Sequence, residues 1–113
     1  MAFTITQSDA YFWPVTIEIP IDGGRFEKHT FDAQFKRLTQ TRIESLTDHV
    51  FTQTIKDRDV VAEVMAGWKG VNDGSDELVW SEANRDILLN IPMVASTIVK
   101  AWIASLSGAQ RKN

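Results

Sequence analysis

The chain has 113 residues, a mass of 12.8 kDa, a net charge of −3 and no cysteine. This length corresponds to one domain, residues 1–113, with enough hydrophobic residues for one core. The absence of cysteine excludes a disulfide scaffold, a thiol nucleophile and a cysteine-bound metal.

Three further features set the expected compartment and partners. A small excess of acidic over basic residues, 15 against 12, speaks against a dedicated nucleic-acid binder. The first residues lack the positive charge that opens a secretory signal. The longest apolar run, Ile91 to Ala95, is far below the roughly 18 residues of a membrane span. We therefore expect a domain that acts in a cytoplasm, without membrane or nucleic acid.

The first predicted element is a strand from Tyr11 to Ile21, in which every odd-numbered residue is apolar. A period of two with aromatic and β-branched residues is typical of a half-buried strand. Pro14 and Pro20 cannot donate a backbone hydrogen bond, which predicts an edge strand.

A return strand is predicted from about Arg25 to Lys36, after a tight turn at Asp22-Gly23-Gly24. Phe31 has the parity of the apolar face and Phe26 has the opposite parity. This mismatch predicts a β-bulge between the two phenylalanines. Residues 1–38 thus form a β-hairpin or a small antiparallel sheet.

From residue 39 to residue 107 the apolar period is helical, and about four helices are predicted. Thr39 or Thr41 is expected to cap the first helix, whose apolar stripe is Ile43, Leu46 and Val50. Asp57 is the candidate cap of the second helix. Its apolar residues are Val60, Val61, Val64, Met65 and Trp68, and Gly67 and Gly70 mark its end.

After a polar turn at Asn72–Glu77, Ser81 is expected to cap the third helix, which carries Ile87, Leu88 and Ile91. Pro92 is expected in the first turn of the fourth helix, which runs to about Leu106 and stops at Gly108. Residues 108–113 are the predicted flexible tail. The fold class is therefore α+β.

The fourth helix is apolar on most sides and has Lys100 as its single charge. Such a helix is normally buried on most sides, either by the other elements of its chain or by a second chain. We favour the second chain, because the strand face of Tyr11 and Trp13 also requires cover.

Charge is unevenly distributed along the chain. Residues 25–42 hold five bases and two acids, whereas residues 57–86 hold eight acids and three bases. These groups are either solvated helix faces or complementary patches that set subunit order or attract a partner.

No pattern in the sequence composes an active site. His29 and His49 lack metal-ligand spacing, and the Asn72–Glu77 turn lacks the ligand spacing of a calcium loop. The serines lack a nucleophile elbow. The tryptophans are better explained as core or interface anchors than as stacking platforms. We expect no enzyme activity, no cofactor and no metal.

Several sequence segments, taken in order, resemble a known family. They are Thr30-Phe31-Asp32-Ala33-Gln34-Phe35-Lys36-Arg37-Leu38, Val64-Met65-Ala66-Gly67-Trp68-Lys69-Gly70-Val71, Leu78-Val79-Trp80-Ser81, Ile87-Leu88-Leu89-Asn90-Ile91-Pro92, and the closing Gly108 with Lys112-Asn113. Over residues 25–113 the chain resembles the tail assembly chaperones of long-tailed, siphovirus-type bacteriophages.

This resemblance implies a viral, non-enzymatic assembly factor encoded by a bacteriophage or prophage. Such proteins bind the tape measure protein in the host bacterial cytoplasm, shield it until the tail tube forms, and are absent from the mature virion. The resemblance also implies a homo-oligomer and a longer form made by translational frameshifting, of which this chain would be the shorter counterpart.

Apolar grooves between the helices are the predicted binding surface. The candidate groove or core residues are Met65, Trp68, Val94, Ile98 and Trp102, and Tyr11 and Trp13 are candidates for self-association. Two other functions stay open, a structural adaptor of the head–tail connector type and a small DNA-binding regulator. The regulator would use the helices around Arg42 and Arg58.

Overall fold

The computed structural model describes residues 2–107, which form an antiparallel sheet and four helices. The elements are β1 (Ala10–Ile21), β2 (Arg25–Lys36), α1 (Gln40–Phe51), α2 (Asp57–Val64), β3 (Met65–Lys69), β4 (Asn72–Asp73), β5 (Asp76–Glu77), α3 (Glu82–Leu89) and α4 (Val94–Leu106). The predicted α+β class is confirmed. The stop at Gly108 and the tail of residues 108–113 lie outside the described residues.

The predicted β-hairpin is confirmed, with β1 at one edge of the three-stranded sheet β1-β2-β3. The pairing of β1 with β2 is unbroken from Ile21 opposite Arg25 to Ala10 opposite Lys36. The predicted bulge is therefore wrong. Phe26 has the opposite parity because it lies on the outer, solvent-facing side of the sheet, where its side chain is 61% exposed.

The second helix is shorter than its apolar spacing indicated. It ends at Val64, and Met65 and Trp68 lie on β3, which pairs antiparallel with β2. Met65 and Trp68 keep the three-residue spacing of a helix, but the pairing of β2 with β3 shifts register between Gln34 and Phe35, so that both side chains are buried. Gly67 faces Gln34 so closely that a Cβ there would lie 2.7 Å from the Gln34 Oε1.

The helix caps follow the sequence signals in two cases of four. Thr39 accepts from the Arg42 amide and Ser81 accepts from the Asn84 amide, at 3.2 and 3.0 Å. Asp57 is not a cap but the first residue of α2, where its charge complements the helix dipole. Pro92 lies before α4 rather than in its first turn, because the N-cap of α4 is Met93.

The core lies between the inner face of the sheet and the helices. Its buried residues are Val15, Ile17, Phe31, Ala33, Phe35, Leu46, Val60, Val61, Val64, Met65, Trp68, Leu88, Leu89, Val94, Ile98, Val99 and Trp102. On α3 the buried pair is Leu88 and Leu89, whereas Ile87, expected on the apolar stripe, is exposed. Leu89, which follows Leu88, therefore faces the core, whereas Ile87, which precedes it, does not.

The apolar strand face and the last helix cover one another. Helix α4 packs against β1 and α2, and the Tyr11 hydroxyl lies 2.7 Å from the Ser105 hydroxyl. The cover that we expected from a second chain is thus largely supplied by the same chain.

Within the part of the chain that the structure describes, no single helix is long and apolar enough to cross a membrane. Helices α3 and α4 reach that length and composition only when joined across their 105° bend.

Candidate interaction grooves

The five residues predicted to form a groove or the core lie together in the core. Met65 and Trp68 reach it from β3, and Val94, Ile98 and Trp102 reach it from α4; none is more than 7% exposed. In the single chain these residues therefore stabilise the fold. Contact with a partner through them stays a prediction, and it would require the core to open.

The other two predicted residues, Tyr11 and Trp13, are half-buried and line a groove at the Ala10–Lys36 end of the sheet. This groove has a volume of about 610 Å³ and is lined by Gln7, Tyr11, Phe12, Trp13, Lys36, Arg37, Leu38, Ile43, Ser105 and Leu106. We call it the basic-rimmed groove, because Lys36 and Arg37 are exposed and no carboxylate lines it.

Arg37 makes two contacts at the basic-rimmed groove. Its guanidinium lies 4.9 Å from the centre of the Tyr11 ring, a cation–π geometry that holds the charge beside the apolar floor. Its Nε donates to the Ser8 hydroxyl at 3.3 Å. The groove therefore combines a positive rim with an apolar floor.

A second groove, of about 560 Å³, lies between the hairpin and the connection of α3 to α4. Its apolar lining is Ile17, Ile19, Phe31, Val71, Leu88, Ile91 and Val94, and its other lining residues are Lys28, His29, Thr30, Gly70 and Asn72. We call it the corner groove. Gly70, with φ +83°, turns the chain away from β3 close to Phe31 and so shapes one wall.

Three exposed apolar side chains lie on α3 and on the connection from α3 to α4, and one of them, Ile91, lines the corner groove. Ile87, Ile91 and Met93 are 63%, 42% and 68% exposed, and we call them the exposed corner. Met93 has a left-handed backbone conformation, φ +72°. Its carbonyl accepts from the amide and hydroxyl of Thr97 and from the Ser96 hydroxyl. A non-glycine residue in this conformation carries strain.

Sequence reasoning missed the exposed corner because Pro92 was interpreted as part of α4, which would have made Met93 helical. A signal was present in Asn90-Ile91-Pro92-Met93. The residue before a proline avoids the helical conformation, so this segment favours a break between two apolar helices. Side chains at such a break have no helix neighbours to cover them.

The polar turn Asn72–Glu77 forms the small hairpin β4–β5, which we call the acidic hairpin. Asp73, Asp76 and Glu77 are all exposed, and Asp73 pairs across the strands with Asp76. Like charges placed directly opposite one another are destabilising. The acidic hairpin therefore presents negative charge that a cation would stabilise.

One ion pair joins the basic and acidic segments inside the chain. Arg42 of α1 donates from Nε and Nη2 to the two carboxylate oxygens of Glu63 in α2, at 2.5 and 2.6 Å. The hydrogen bond from Arg42 lowers the pKa of Glu63 below its ordinary value, against the opposing effect of partial burial. Arg58 donates to the Asn90 side chain at 3.4 Å.

The two histidines make local contacts. His29 Nε2 lies 3.2 Å from the Glu27 carboxylate on the exposed part of β2, and His49 Nδ1 donates to the Ser45 carbonyl at 2.7 Å. Across residues 2–107 no three His, Asp or Glu side chains are grouped so that they could hold a metal ion.

Comparison with protein-family models, with curated proteins and with solved structures found no match to this chain. The described residues form an α+β fold with two separate grooves that have partly apolar linings. One is apolar with an exposed rim, and the other is apolar with a positive rim.

Proposed function

We propose that this chain is a non-catalytic tail assembly chaperone of a siphovirus-type bacteriophage or prophage. It binds and shields the tape measure protein in the host bacterial cytoplasm and is absent from the mature virion. The observation that carries the proposal is the corner groove with its exposed corner of Ile87, Ile91 and Met93. The sequence resemblance over residues 25–113 supplies the identity of the partner.

The corner groove suits an apolar helical segment of a partner. Its seven apolar lining residues and the exposed corner would remove apolar surface of the partner from water, at about 25 cal/mol for each Å². Exposed apolar surface of this kind is typical of interaction sites. A methionine at the rim adapts to segments of different shape, as a chaperone of a long repetitive partner requires.

The backbone at Met93 supports a binding role for its side chain. The left-handed conformation costs a non-glycine residue about 1–2 kcal/mol, and a 68% exposed side chain offsets little of this through the core. Glycine would adopt the same conformation without that cost. A methionine at this position is explained if its side chain contacts a partner.

The proposal includes association with further copies of the chain and with a longer, frameshifted form. Association with either of these partners requires no active site, cofactor or metal in this chain. The two predicted self-association residues, Tyr11 and Trp13, lie at the basic-rimmed groove, away from the corner groove. Binding of the tape measure protein and association between copies would therefore use different surfaces.

Co-expression with the tape measure protein of the same phage genome tests the proposal. We expect the wild-type chain to raise the soluble fraction of the tape measure protein and to co-purify with it. Ile91→Asp should abolish this effect, because a charge would be buried in the groove. Phe26→Asp, on the outer face of the hairpin, is the matched control and should behave as wild type.

Two results would contradict the proposal. One is a tape measure protein whose solubility is the same with and without the wild-type chain. The other is detection of the chain, by mass spectrometry, as a stoichiometric component of purified virions, which is the behaviour of a structural adaptor.

A further inference from the structure

We infer that the basic-rimmed groove binds the acidic hairpin of a second copy, so that copies associate head to tail. The inference rests on the self-association included in the proposed function and names its two surfaces. It does not depend on the tape measure protein, whose proposed site is the corner groove.

The groove side of this contact is defined by charge and by an apolar floor. Lys36 and Arg37 are exposed at the rim, and no acidic residue lines the groove. The floor includes the aromatic side chains of Tyr11 and Trp13. An acidic segment with apolar neighbours would supply negative charge for the rim and apolar surface for the floor.

The acidic hairpin has the complementary chemistry. Its carboxylates, Asp73, Asp76 and Glu77, are exposed, and none of them takes part in an ion pair within residues 2–107. Val79, the second residue after the hairpin, is 75% exposed. A short acidic turn followed by an exposed apolar residue matches a groove with a positive rim and an apolar floor.

The topology keeps the acidic hairpin away from the basic-rimmed groove of its own chain. Strand β3 begins opposite Phe35, beside the groove, and runs to Lys69 opposite Asp32. The hairpin follows β3, and Gly70 already lies against Phe31. The two surfaces are thus at different ends of β3, and only a second copy brings them together.

The corner groove is a weaker candidate than the basic-rimmed groove for binding the acidic hairpin of a second copy. It also has a cation at its edge, Lys28, but Asn72 at the root of the acidic hairpin already lines it. Asp73, the next residue of the acidic hairpin, is exposed, so a second acidic hairpin at this groove would meet like charge. The basic-rimmed groove has no residue of the acidic hairpin in its lining.

When copies associate through two different surfaces, one basic-rimmed groove and one acidic hairpin stay unoccupied at the two ends of every open assembly. Association therefore continues to longer chains unless the rotation closes a ring. Charge reversal on either surface should stop it, because like charges would then face each other.

Sedimentation velocity of the full chain over a range of concentrations tests the inference. We expect the wild type to form a concentration-dependent series of oligomers that weakens as salt is raised. Lys36→Glu/Arg37→Glu and Asp76→Lys/Glu77→Lys should each be folded and associate at least about tenfold more weakly. Lys100→Glu and Asp48→Lys, exposed charges away from both surfaces, are the matched controls and should associate as wild type.

Mixing the two charge-reversed variants gives the sharpest outcome. Each variant retains one intact surface, and the two reversed surfaces are again of opposite charge, so the mixture should regain the association that each variant alone has lost. Wild-type oligomers that persist in both variants would overturn the inference and leave self-association intact. A wild type that stays monomeric at every concentration would overturn both, and neither result bears on binding of the tape measure protein.

Discussion

The buried face of α4 and the exposed corner that precedes it are equally apolar in sequence but have opposite environments. Ile98 and Trp102 are fully buried, whereas Ile91 and Met93, a few residues earlier, are 42% and 68% exposed. The difference lies in what faces them: β1 and α2 lie against α4, and no element of the described chain covers the corner. Apolar composition identifies surface that requires cover, but only topology shows which part the chain covers itself.

The largest expected effect comes from truncating a side chain on the buried face of α4. Trp102→Ala should lower the free energy of unfolding by about 3–5 kcal/mol, because it removes a fully buried indole and leaves a cavity. Urea unfolding followed by circular dichroism measures this loss. A variant with wild-type stability but impaired association would show that Trp102 serves a partner instead.

Local signals predicted the hairpin well, because its information lies in neighbouring residues. The alternation of β1, the turn at Asp22-Gly23-Gly24 and the caps Thr39 and Ser81 depend on a few positions each. β3 was not predictable in this way. Met65 and Trp68 have a helical spacing, and both are buried on β3 only because its pairing with β2, some thirty residues earlier in the sequence, shifts register between Gln34 and Phe35.

The candidate site was harder to predict than the fold. Apolar spacing selected Val94, Ile98 and Trp102, which are core residues, because burial by the same chain and by a partner produce the same pattern. Met93 was missed, since its exposure follows from a left-handed backbone conformation after Pro92. Tyr11 and Trp13, predicted for self-association, line a surface groove, and their role in self-association stays a prediction.

Two neighbouring residues of α3 sharpen the comparison within one helix. Leu88→Ala should cost about 2–3 kcal/mol of unfolding free energy, because Leu88 is only 9% exposed. Ile87→Ala should cost less than about 0.5 kcal/mol, because Ile87 is 63% exposed. Equal losses in chemical denaturation would mean that Ile87 is covered in the folded chain and is not part of an exposed corner.

Met93→Gly separates binding from stability at the corner itself. Glycine relieves the left-handed strain but adds backbone entropy to the unfolded state, so the two effects oppose one another. We expect the unfolding free energy to change by less than about 1 kcal/mol. Thermal unfolding of Met93→Gly beside Met93→Ala, which keeps the strain, checks this, and a large loss in the glycine variant would assign Met93 to the core.

The smallest expected effect concerns the ion pair between α1 and α2. The Arg42 guanidinium lowers the pKa of Glu63, so the pair stabilises the fold above the ordinary carboxyl pKa and loses this contribution as pH falls through the lowered value. Glu63→Gln should therefore be slightly less stable than wild type at pH 7, and the difference should shrink as pH falls through the lowered pKa of Glu63. A difference in unfolding free energy between wild type and Glu63→Gln that grows toward acid pH would contradict a lowered pKa for Glu63.

The central claim is that the exposed corner binds the tape measure protein while the buried face of α4 only stabilises the fold. Isothermal titration of a purified tape measure fragment from the same phage with wild type, Met93→Gly and the control Phe26→Asp tests it most directly. In the complex the partner would bury the Met93 side chain. Its loss in Met93→Gly should therefore weaken binding about tenfold at unchanged stability, and the control should bind as wild type. Equal affinity of wild type and Met93→Gly would contradict the claim.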